Sequence, residues 1–242
     1  MANLEFHQFP CLSDNYGVLV HDPKSGNTAS IDAPDANAVE AALSEKGWKL
    51  THIRVTHHHA DHTQGIGELK SNYNCHVIGP KNEASKISNL DETKTDGEQF
   101  TFGGETVDVM MTPGHTLGMI NFYFAKSGVV FTGDTLFALG CGRIFEGDAT
   151  MMWNSLSKLA KLPPETIVYC GHEYTQSNAK FCLTIEPNNQ ALVSRAREID
   201  ALRAQGKPTI PTTIGLELET NSFLRAGNAT EFARIRTAKD NA

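Results

Sequence analysis

The sequence predicts an α/β fold in which short strands and helices form layers, followed by a helical C-terminal part. Short runs rich in β-branched and aromatic residues, bounded by turn residues, recur through the first half of the chain. After Tyr169 few strand signals remain, and apolar residues recur at helical spacing instead. Because strands and helices are interspersed before that point, the pattern favours a layered fold over a helix bundle.

The predicted strands of the first part are short and follow one another closely. They cover residues 16–21, 29–32, 53–56, 76–79, 99–102, 107–111, 121–124 and 129–132. Helical patterns separate some of them, at residues 38–45, 66–73 and 150–162, and two prolines end the last of these. One more short strand is predicted at residues 168–170.

Two helices are predicted in the C-terminal part. In the first, side chains from Leu192 onward share one face at helical spacing, and either Asn188 or Asn189 supplies the N-cap. In the second, Thr230 caps a closing helix that runs through Lys239.

The boundary between the two parts is predicted near Tyr174, which gives domains of residues 1–173 and 174–242. With 242 residues, of which 40% are hydrophobic, the chain is long enough to bury a substantial core. The formal net charge of −7 argues against a nucleic-acid partner, since phosphate binding depends on accumulated Lys and Arg. Residues 189–242 nevertheless hold 8 basic and 6 acidic residues. Solvated helix faces and an anion-binding role both explain this basic end.

Composition also bears on the cellular location of the protein. No apolar run approaches the roughly 20 residues that a membrane span needs, and no basic-then-apolar signal pattern opens the sequence. We therefore expect a cytoplasmic protein without a membrane partner, and a monomer. The cysteines are odd in number and scattered, which suits a reducing compartment and small buried side chains without a chemical role. They are Cys11, Cys75, Cys141, Cys170 and Cys182.

The densest group of metal-binding side chains lies at residues 56–62, which read Thr-His-His-His-Ala-Asp-His. This segment follows a predicted strand and precedes a predicted helix. In an extended segment, residues two apart point the same way, so His57 and His59 can converge on one ion. Asp61 and His62, where the chain turns, can then face a second ion. We call residues 56–62 the His-rich turn.

The His-rich turn fits a metal site better than it fits a tag, a loop or a structural zinc. A histidine tag would not be internal and would not contain a carboxylate. A solvated loop accounts for the polarity but not for the placement of Asp61. A structural zinc site would use paired cysteines, which the sequence lacks. His58 should point away from its neighbours and have a supporting or structural role. The remaining histidines are expected to be bystanders: His7, His21, His52 and His76.

Three further candidate ligands each follow a predicted strand and a turn glycine, namely His115, Asp134 and His172. Singly, such residues are usually ordinary turn residues. Together with the His-rich turn they complete two metal sites. In this prediction one ion is held by His57, His59 and His115, the other by Asp61, His62 and His172, and Asp134 bridges them.

Imidazole and carboxylate ligands suit two divalent ions per chain, zinc first, with iron or manganese as alternatives. Two metals roughly 3.5–4 Å apart can share a water and lower its pKa toward about 7. The sequence therefore predicts a hydrolase in which a hydroxide that bridges the metals attacks the substrate. Asp61 and Asp134 are the protein's catalytic carboxylates in this scheme, and Asp61 orients the hydroxide.

These motifs, taken together, resemble the metallo-β-lactamase superfamily, whose fold is an αββα sandwich with a dinuclear site at one edge. Within it, residues 136–147, the run Gly171-His172-Glu173-Tyr174-Thr175 and the ending Arg236-x-x-Lys239-Asp240 are similar to glyoxalase II, the hydroxyacylglutathione hydrolases. The resemblance covers nearly the whole chain. It implies hydrolysis of S-D-lactoylglutathione and related 2-hydroxyacylglutathiones to D-lactate and glutathione, the second step of methylglyoxal removal.

The same resemblance implies that residues 174–242 form the glutathione-binding domain. Carried over position by position, the glutathione-binding residues are Arg143, Phe145, Tyr174, Arg236 and Lys239. The animal form of the family has Lys in place of Arg143 and Tyr in place of Phe145, so charge is kept at the first position and a hydroxyl is lost at the second. Cations three residues apart on one helix can meet one carboxylate of glutathione.

Different activities on this fold are weaker alternatives. A persulfide dioxygenase shares the His-rich turn and a glutathione-derived substrate, but it works through one iron and lacks the long helical tail. A ribonuclease is disfavoured by the acidic body, and a lactonase by the glutathione-like motifs. A metal-binding module without catalysis would not need every ligand.

Overall fold

The computed structural model describes residues 4–242, which divide into two compact units. The first unit runs to Met111 and also contains Gly118–Gly133. The second contains Thr112–Leu117 and Asp134–Ala242. The predicted boundary after residue 173 stays a prediction. Within the described part of the chain, no helix combines the length and the apolar character that a membrane crossing requires.

A six-stranded sheet of the first unit positions the His-rich turn. Its strands, in both sequence and spatial order, are β1 (Glu5–Cys11), β2 (Asn15–Asp22), β3 (Asn27–Ile31), β4 (His52–Arg54), β5 (His76–Pro80) and β6 (Glu92–Lys94). The first three pair antiparallel, and β3 to β6 pair parallel. Parallel strands end at the same edge, and Ile31 lies opposite Arg54. The residues that follow β3 and β4 are therefore neighbours.

Helices α1 (Ala36–Lys46), α2 (Ala60–Thr63) and α3 (Ile66–Tyr73) complete this layer. The Asp35 side chain caps α1 by accepting from the Ala38 amide at 3.1 Å. One face of α1 and α3 packs on the sheet, where Val39, Leu69 and Ile53 belong to one buried cluster. The predicted helices at 38–45 and 66–73 are confirmed. The prediction had no counterpart for α2, a single turn that holds Asp61 and His62.

Four antiparallel strands of the first unit lie in the order β10-β9-β8-β7. They are β7 (Gln99–Phe102), β8 (Glu105–Met111), β9 (Ile120–Phe124) and β10 (Val129–Gly133). They pack on the six-stranded sheet through aromatic side chains, and the Phe6 and Phe131 ring centroids are 6.2 Å apart. Two layers of strands, the first of them covered by α1 and α3, confirm the predicted α/β fold. All eight strands predicted before residue 133 are present.

The second unit continues with short strands and helices. They are β11 (Leu136–Phe137), β12 (Gly140–Cys141), α4 (Ala149–Leu159), β13 (Ile167–Cys170), α5 (Thr175–Ile185), α6 (Gln190–Ala204), β14 (Thr212–Thr213), α7 (Ile214–Thr220) and α8 (Ala229–Asp240). Of the two residues predicted as N-cap, Asn188 and Asn189, the structure shows Asn189, whose side chain accepts from the Leu192 amide. The helical C-terminal part is confirmed as well.

Some details of the prediction were wrong. Thr230 does not cap α8; Asn228 does, because Gly227 ends the preceding turn at φ 79° and leaves residue 228 extended. Helix α5 was missed because its buried face includes Thr175 and Asn178, which weakens the apolar periodicity. Strand β1 was missed because it contains Pro10, which an edge strand tolerates.

Candidate metal centre

Asp32 holds the His-rich turn in place from the end of the neighbouring strand. Its carboxylate accepts hydrogen bonds from the Thr56 amide at 2.7 Å, the Thr56 hydroxyl at 2.9 Å and His62 Nδ1 at 2.7 Å. Asp32 is buried and has a φ of 58°, a left-handed conformation that Asp adopts more readily than most non-glycine residues. Asp32 was not among the predicted site residues, although it is the last residue of a predicted strand and Asp134 closely follows another.

The Thr56 hydroxyl contacts both Asp32 and His57 and thereby orients the His57 ring. Because the hydroxyl donates to Asp32, it can only accept from His57 Nδ1, which lies 3.0 Å away. The lone pair of His57 is therefore on Nε2, which is 3.1 Å from Nδ1 of His59. The two side chains that the spacing predicted to converge do lie together.

Asp61 and His62 form the second pair in the turn. His62 donates from Nδ1 to Asp32, so its lone pair is on Nε2, which faces Asp61 Oδ2 at 3.6 Å. Asn15 donates to the same Asp61 oxygen at 3.0 Å and sets its orientation. Like Asp32, Asn15 was not predicted from the sequence.

In the second unit, two candidate ligands converge on a carboxylate oxygen of the third. Asp134 Oδ2 lies 3.4 Å from His115 Nε2 and 3.3 Å from His172 Nε2. His115 Nδ1 donates to the Arg143 carbonyl at 2.7 Å, so its Nε2 also carries the lone pair. The ring of Tyr174 stacks on His172 with centroids 4.7 Å apart.

Gly142 allows this convergence. A Cβ atom at residue 142 would come within 2.0 Å of the Asp134 carbonyl oxygen and 3.1 Å of His115 Nδ1. Any side chain would therefore displace the backbone beside Asp134. The glycine is required by the close approach of two segments, and its conformation is not the reason.

Both units thus hold nitrogen lone pairs opposite carboxylate oxygens. Two acceptors at such distances repel each other unless a cation lies between them, and histidines whose Nδ1 is engaged by a partner are typical metal ligands. All seven predicted ligands are among the His and Asp side chains that could hold a metal ion. The donor set therefore fits divalent metal ions.

The cysteines take no part in this chemistry. All five are buried free thiols, as predicted. Burial raises the pKa of Cys11 to about 12, that of Cys141 to about 11 and that of Cys170 to about 12. A neutral thiol is a poor metal ligand. Of the histidines expected to be bystanders, His21 stacks on Trp48 with centroids 4.4 Å apart.

The candidate substrate residues of the second unit differ in exposure. Phe145 is 61% exposed and its ring lies 5.3 Å from that of His115. Arg143 is largely exposed, and its Nε lies 3.4 Å from Asp240 Oδ1. Phe145 and Tyr174 are exposed aromatic residues beside His115 and His172.

Arg236 and Lys239 lie one turn apart on α8. Arg236 is buried, donates to the Cys141 carbonyl at 3.1 Å and to Asp240 at 2.8 Å, and its guanidinium lies over the Phe223 ring. Lys239 contacts Ser177 Oγ at 3.2 Å. Burial lowers the pKa of the Lys239 ammonium, and the nearby Arg236 charge lowers it further. The two cations are therefore close neighbours.

Comparisons with known proteins place these features in a family. Residues 17–172 match the model of the metallo-beta-lactamase superfamily, and residues 173–242 match the model described as hydroxyacylglutathione hydrolase C-terminus. A hydroxyacylglutathione hydrolase of Rhizobium etli is 54% identical over 100% of both chains. The chain belongs to the hydroxyacylglutathione hydrolase family. This family consists of thiolester hydrolases.

Further relatives agree with this assignment. The hydroxyacylglutathione hydrolase of Brucella ovis is 56% identical over 96% of this chain and 90% of its own. Among solved structures, ETHE1 from Myxococcus xanthus superposes with a TM-score of 0.74 at 29% identity, covering 96% of this chain and 90% of that one. The predicted family and the metallo-β-lactamase fold are confirmed.

Proposed function

We propose that this protein hydrolyses S-D-lactoylglutathione and related 2-hydroxyacylglutathiones to the hydroxy acid and glutathione, as the second step of methylglyoxal detoxification. The full-length similarity to hydroxyacylglutathione hydrolases carries this proposal. The match of residues 173–242 to the C-terminal model also disfavours a persulfide dioxygenase, which we expected to lack the helical tail.

In this proposal seven side chains hold two ions. The first ion is held by His57, His59 and His115, the second by Asp61, His62 and His172, and Asp134 is shared. When bound, divalent ions of this kind supply a Lewis acid and lower the pKa of a coordinated water. Zinc is the proposed metal, with iron or manganese as alternatives that the same ligands accept.

The protein's own groups orient this chemistry. Asp61, held by Asn15 and facing His62, orients the attacking water. The Nδ1 bonds of His57, His62 and His115 keep each ring in one tautomer, so no reorganisation is needed before reaction. A thiolate leaves readily, so no strong general acid is required from the chain.

Glutathione recognition is proposed for Arg143, Phe145, Tyr174, Arg236 and Lys239. Exposed Phe145 and Tyr174 offer rings beside the histidines, and the remaining three are cations suited to the carboxylates of glutathione. Residues 174–242 are the proposed glutathione-binding domain and residues 1–173 the catalytic domain, in keeping with the bounds of the two family models. We further propose a cytoplasmic monomer whose partner is this small thioester.

A steady-state assay tests the proposal directly. Purified protein is given S-D-lactoylglutathione or an unrelated acyl thioester, with and without a chelator. We expect rapid turnover of the first substrate, slow turnover of the second, and loss of both after chelation. Turnover that persists after complete metal removal would refute the metal mechanism, and equal rates on the two thioesters would refute the glutathione specificity.

A second prediction concerns the cations of α8. The double replacement Arg236→Ala and Lys239→Ala is expected to raise KM for lactoylglutathione by about tenfold or more, because each charge-assisted bond to a carboxylate contributes about 1.5–3 kcal/mol. The value of kcat should change much less, since neither cation lies at the reacting bond. Arg236 is also buried, so Lys239→Met alone separates substrate binding from stability. An unchanged KM in the double variant would remove α8 from the substrate site.

A further inference from the structure

The segment between His57 and His59 is held by a buried carboxylate that the proposed ligand set does not use. Glu83 lies in a 3-10 helix, Lys81–Lys86, that follows β5, and its side chain is only 2% exposed. Its Oε2 atom lies 2.8 Å from the His58 amide nitrogen and 2.8 Å from His58 Nδ1. One carboxylate oxygen therefore contacts both the main chain and the side chain of His58.

The second oxygen of Glu83 is also engaged. Oε1 accepts a hydrogen bond from the Gly118 amide at 2.9 Å. A Cβ atom at residue 118 would come within 2.6 Å of Glu83 Cγ and 2.9 Å of Asn82 Cβ, so the glycine lets this segment approach the carboxylate. Since a carboxylate only accepts hydrogen bonds, all three contacts have the N–H group as donor. Glu83 is thereby held in one orientation.

We propose that Glu83 is a positioning residue that, through His58, sets the directions of the metal-ligating His57 and His59 side chains. The His58 amide lies in the main chain between His57 and His59, and the His58 ring lies 4.9 Å from the His59 ring rather than pointing away from it as the sequence predicted. Fixing the amide and the ring of His58 thus fixes how far and in which direction His57 and His59 project. His58 has a defined role in this arrangement: it transmits the hold of Glu83 to both ligands.

The arrangement complements the hold that Asp32 has on the remaining parts of the turn. Asp32 constrains Thr56 and His62, at the two ends of the His-rich turn. Glu83 constrains its middle. Burying a carboxylate is costly unless its oxygens are well hydrogen-bonded, which is why we assign it a role rather than treat it as incidental. The proposal rests on the proposed metal site and goes beyond it by adding Glu83 and His58.

The zinc affinity of the protein tests the positioning role of Glu83 directly. Metal-free protein competes with a chromophoric chelator for Zn²⁺, in the wild type and in Glu83→Gln. The glutamine can accept on one side only, and its NH₂ group opposes an N–H donor on the other. We expect zinc affinity to fall by about 10–100-fold, the usual effect of losing an outer partner of a ligand. The control is Glu92→Gln. Glu92 is a more exposed carboxylate on β6 of the six-stranded sheet, and its replacement should leave zinc affinity unchanged.

Two more variants distinguish positioning from general stability. His58→Asn keeps an N–H donor near the place of Nδ1, whereas His58→Ala removes it, so zinc affinity should fall less in the asparagine variant. At saturating zinc, kcat should fall in Glu83→Gln while KM for lactoylglutathione stays unchanged. Thermal unfolding of the metal-free proteins checks that each variant folds. If Glu83→Gln does not fold, the two His58 variants decide the matter.

Opposite outcomes would overturn the inference. A folded Glu83→Gln protein with wild-type zinc affinity would show that Glu83 does not position the ligands, and equal affinities of the two His58 variants would show that the side chain of His58 does not transmit its hold. The zinc measurement needs no thioester. A wild type that binds zinc but does not hydrolyse lactoylglutathione would therefore refute the proposed function and leave the role of Glu83 intact.

Discussion

Replacing Asp134 with alanine is expected to abolish thioester hydrolysis together with metal binding. The carboxylate is buried and its Oδ2 atom faces the Nε2 atoms of both His115 and His172 within 3.4 Å. Without it, those nitrogens would lack the carboxylate that would balance the charge of a bound divalent ion. Loss of an outer partner of a ligand costs about 10–100-fold in metal affinity or activity, and loss of Asp134, the proposed shared ligand, should exceed that range.

The measurement pairs metal content with kcat/KM on lactoylglutathione, using Asp200→Ala as the matched control. Asp200 lies on the exposed surface of α6 and bonds to Gln176, so its removal should leave both quantities unchanged. Asp134→Asn keeps the shape and one acceptor oxygen and should fall between wild type and alanine. An Asp134→Ala protein that retains two metals and wild-type turnover would exclude Asp134 from the centre.

Replacing Glu217 with alanine is expected to be the most destabilising single change in the helical part. Glu217 is fully buried and accepts from Arg195 at 2.5 Å, from the Thr212 hydroxyl at 2.7 Å, from the Leu139 amide at 2.8 Å and from Asn221 at 2.9 Å. Alanine would leave the buried Arg195 guanidinium without its counter-charge. Breaking one side of such a pair costs about 3–5 kcal/mol in the free energy of unfolding.

Thermal unfolding should report this loss as a fall in Tm of roughly 10 °C, given about 2–4 °C per kcal/mol for a chain of this size. Glu219→Ala, an exposed position two residues along α7, is the control and should change Tm by very little. The double variant Arg195→Met with Glu217→Leu should be less destabilised than Glu217→Ala, because it leaves no unpaired buried charge. Equal Tm values for Glu217→Ala and Glu219→Ala would contradict this expectation.

Much of the fold could be predicted because its signals are local. Strands such as β8 alternate buried and more exposed residues, and α3 was predicted with the bounds it has. Helix α5 escaped because most of its buried side chains are polar or small, so that they do not form an apolar pattern at helical spacing. At such elements the apolar pattern of the sequence does not indicate which side chains the folded protein buries.

The residues of the candidate site also divide into those that the local sequence pattern indicates and those that it does not. His57, His59, Asp61 and His62 were recognisable because they follow one strand at a spacing that directs side chains to common sides. Asp32, Glu83 and Asn15 were not, because each lies between 24 and 46 residues from the residue it holds. No spacing rule connects residues so far apart.

By itself, then, the sequence determined the α/β class, the family resemblance and the kind of donor atoms offered to a metal, since these follow from residue types and their near neighbours along the chain. Only the tertiary structure decided which groups hold those donors still. Parallel pairing brings the ends of β3 and β4 together. The buried carboxylate of Asp32, after β3, can then accept a hydrogen bond from Thr56, after β4. Long-range pairing of strands is the physical reason, because it creates contacts that the order of residues does not contain.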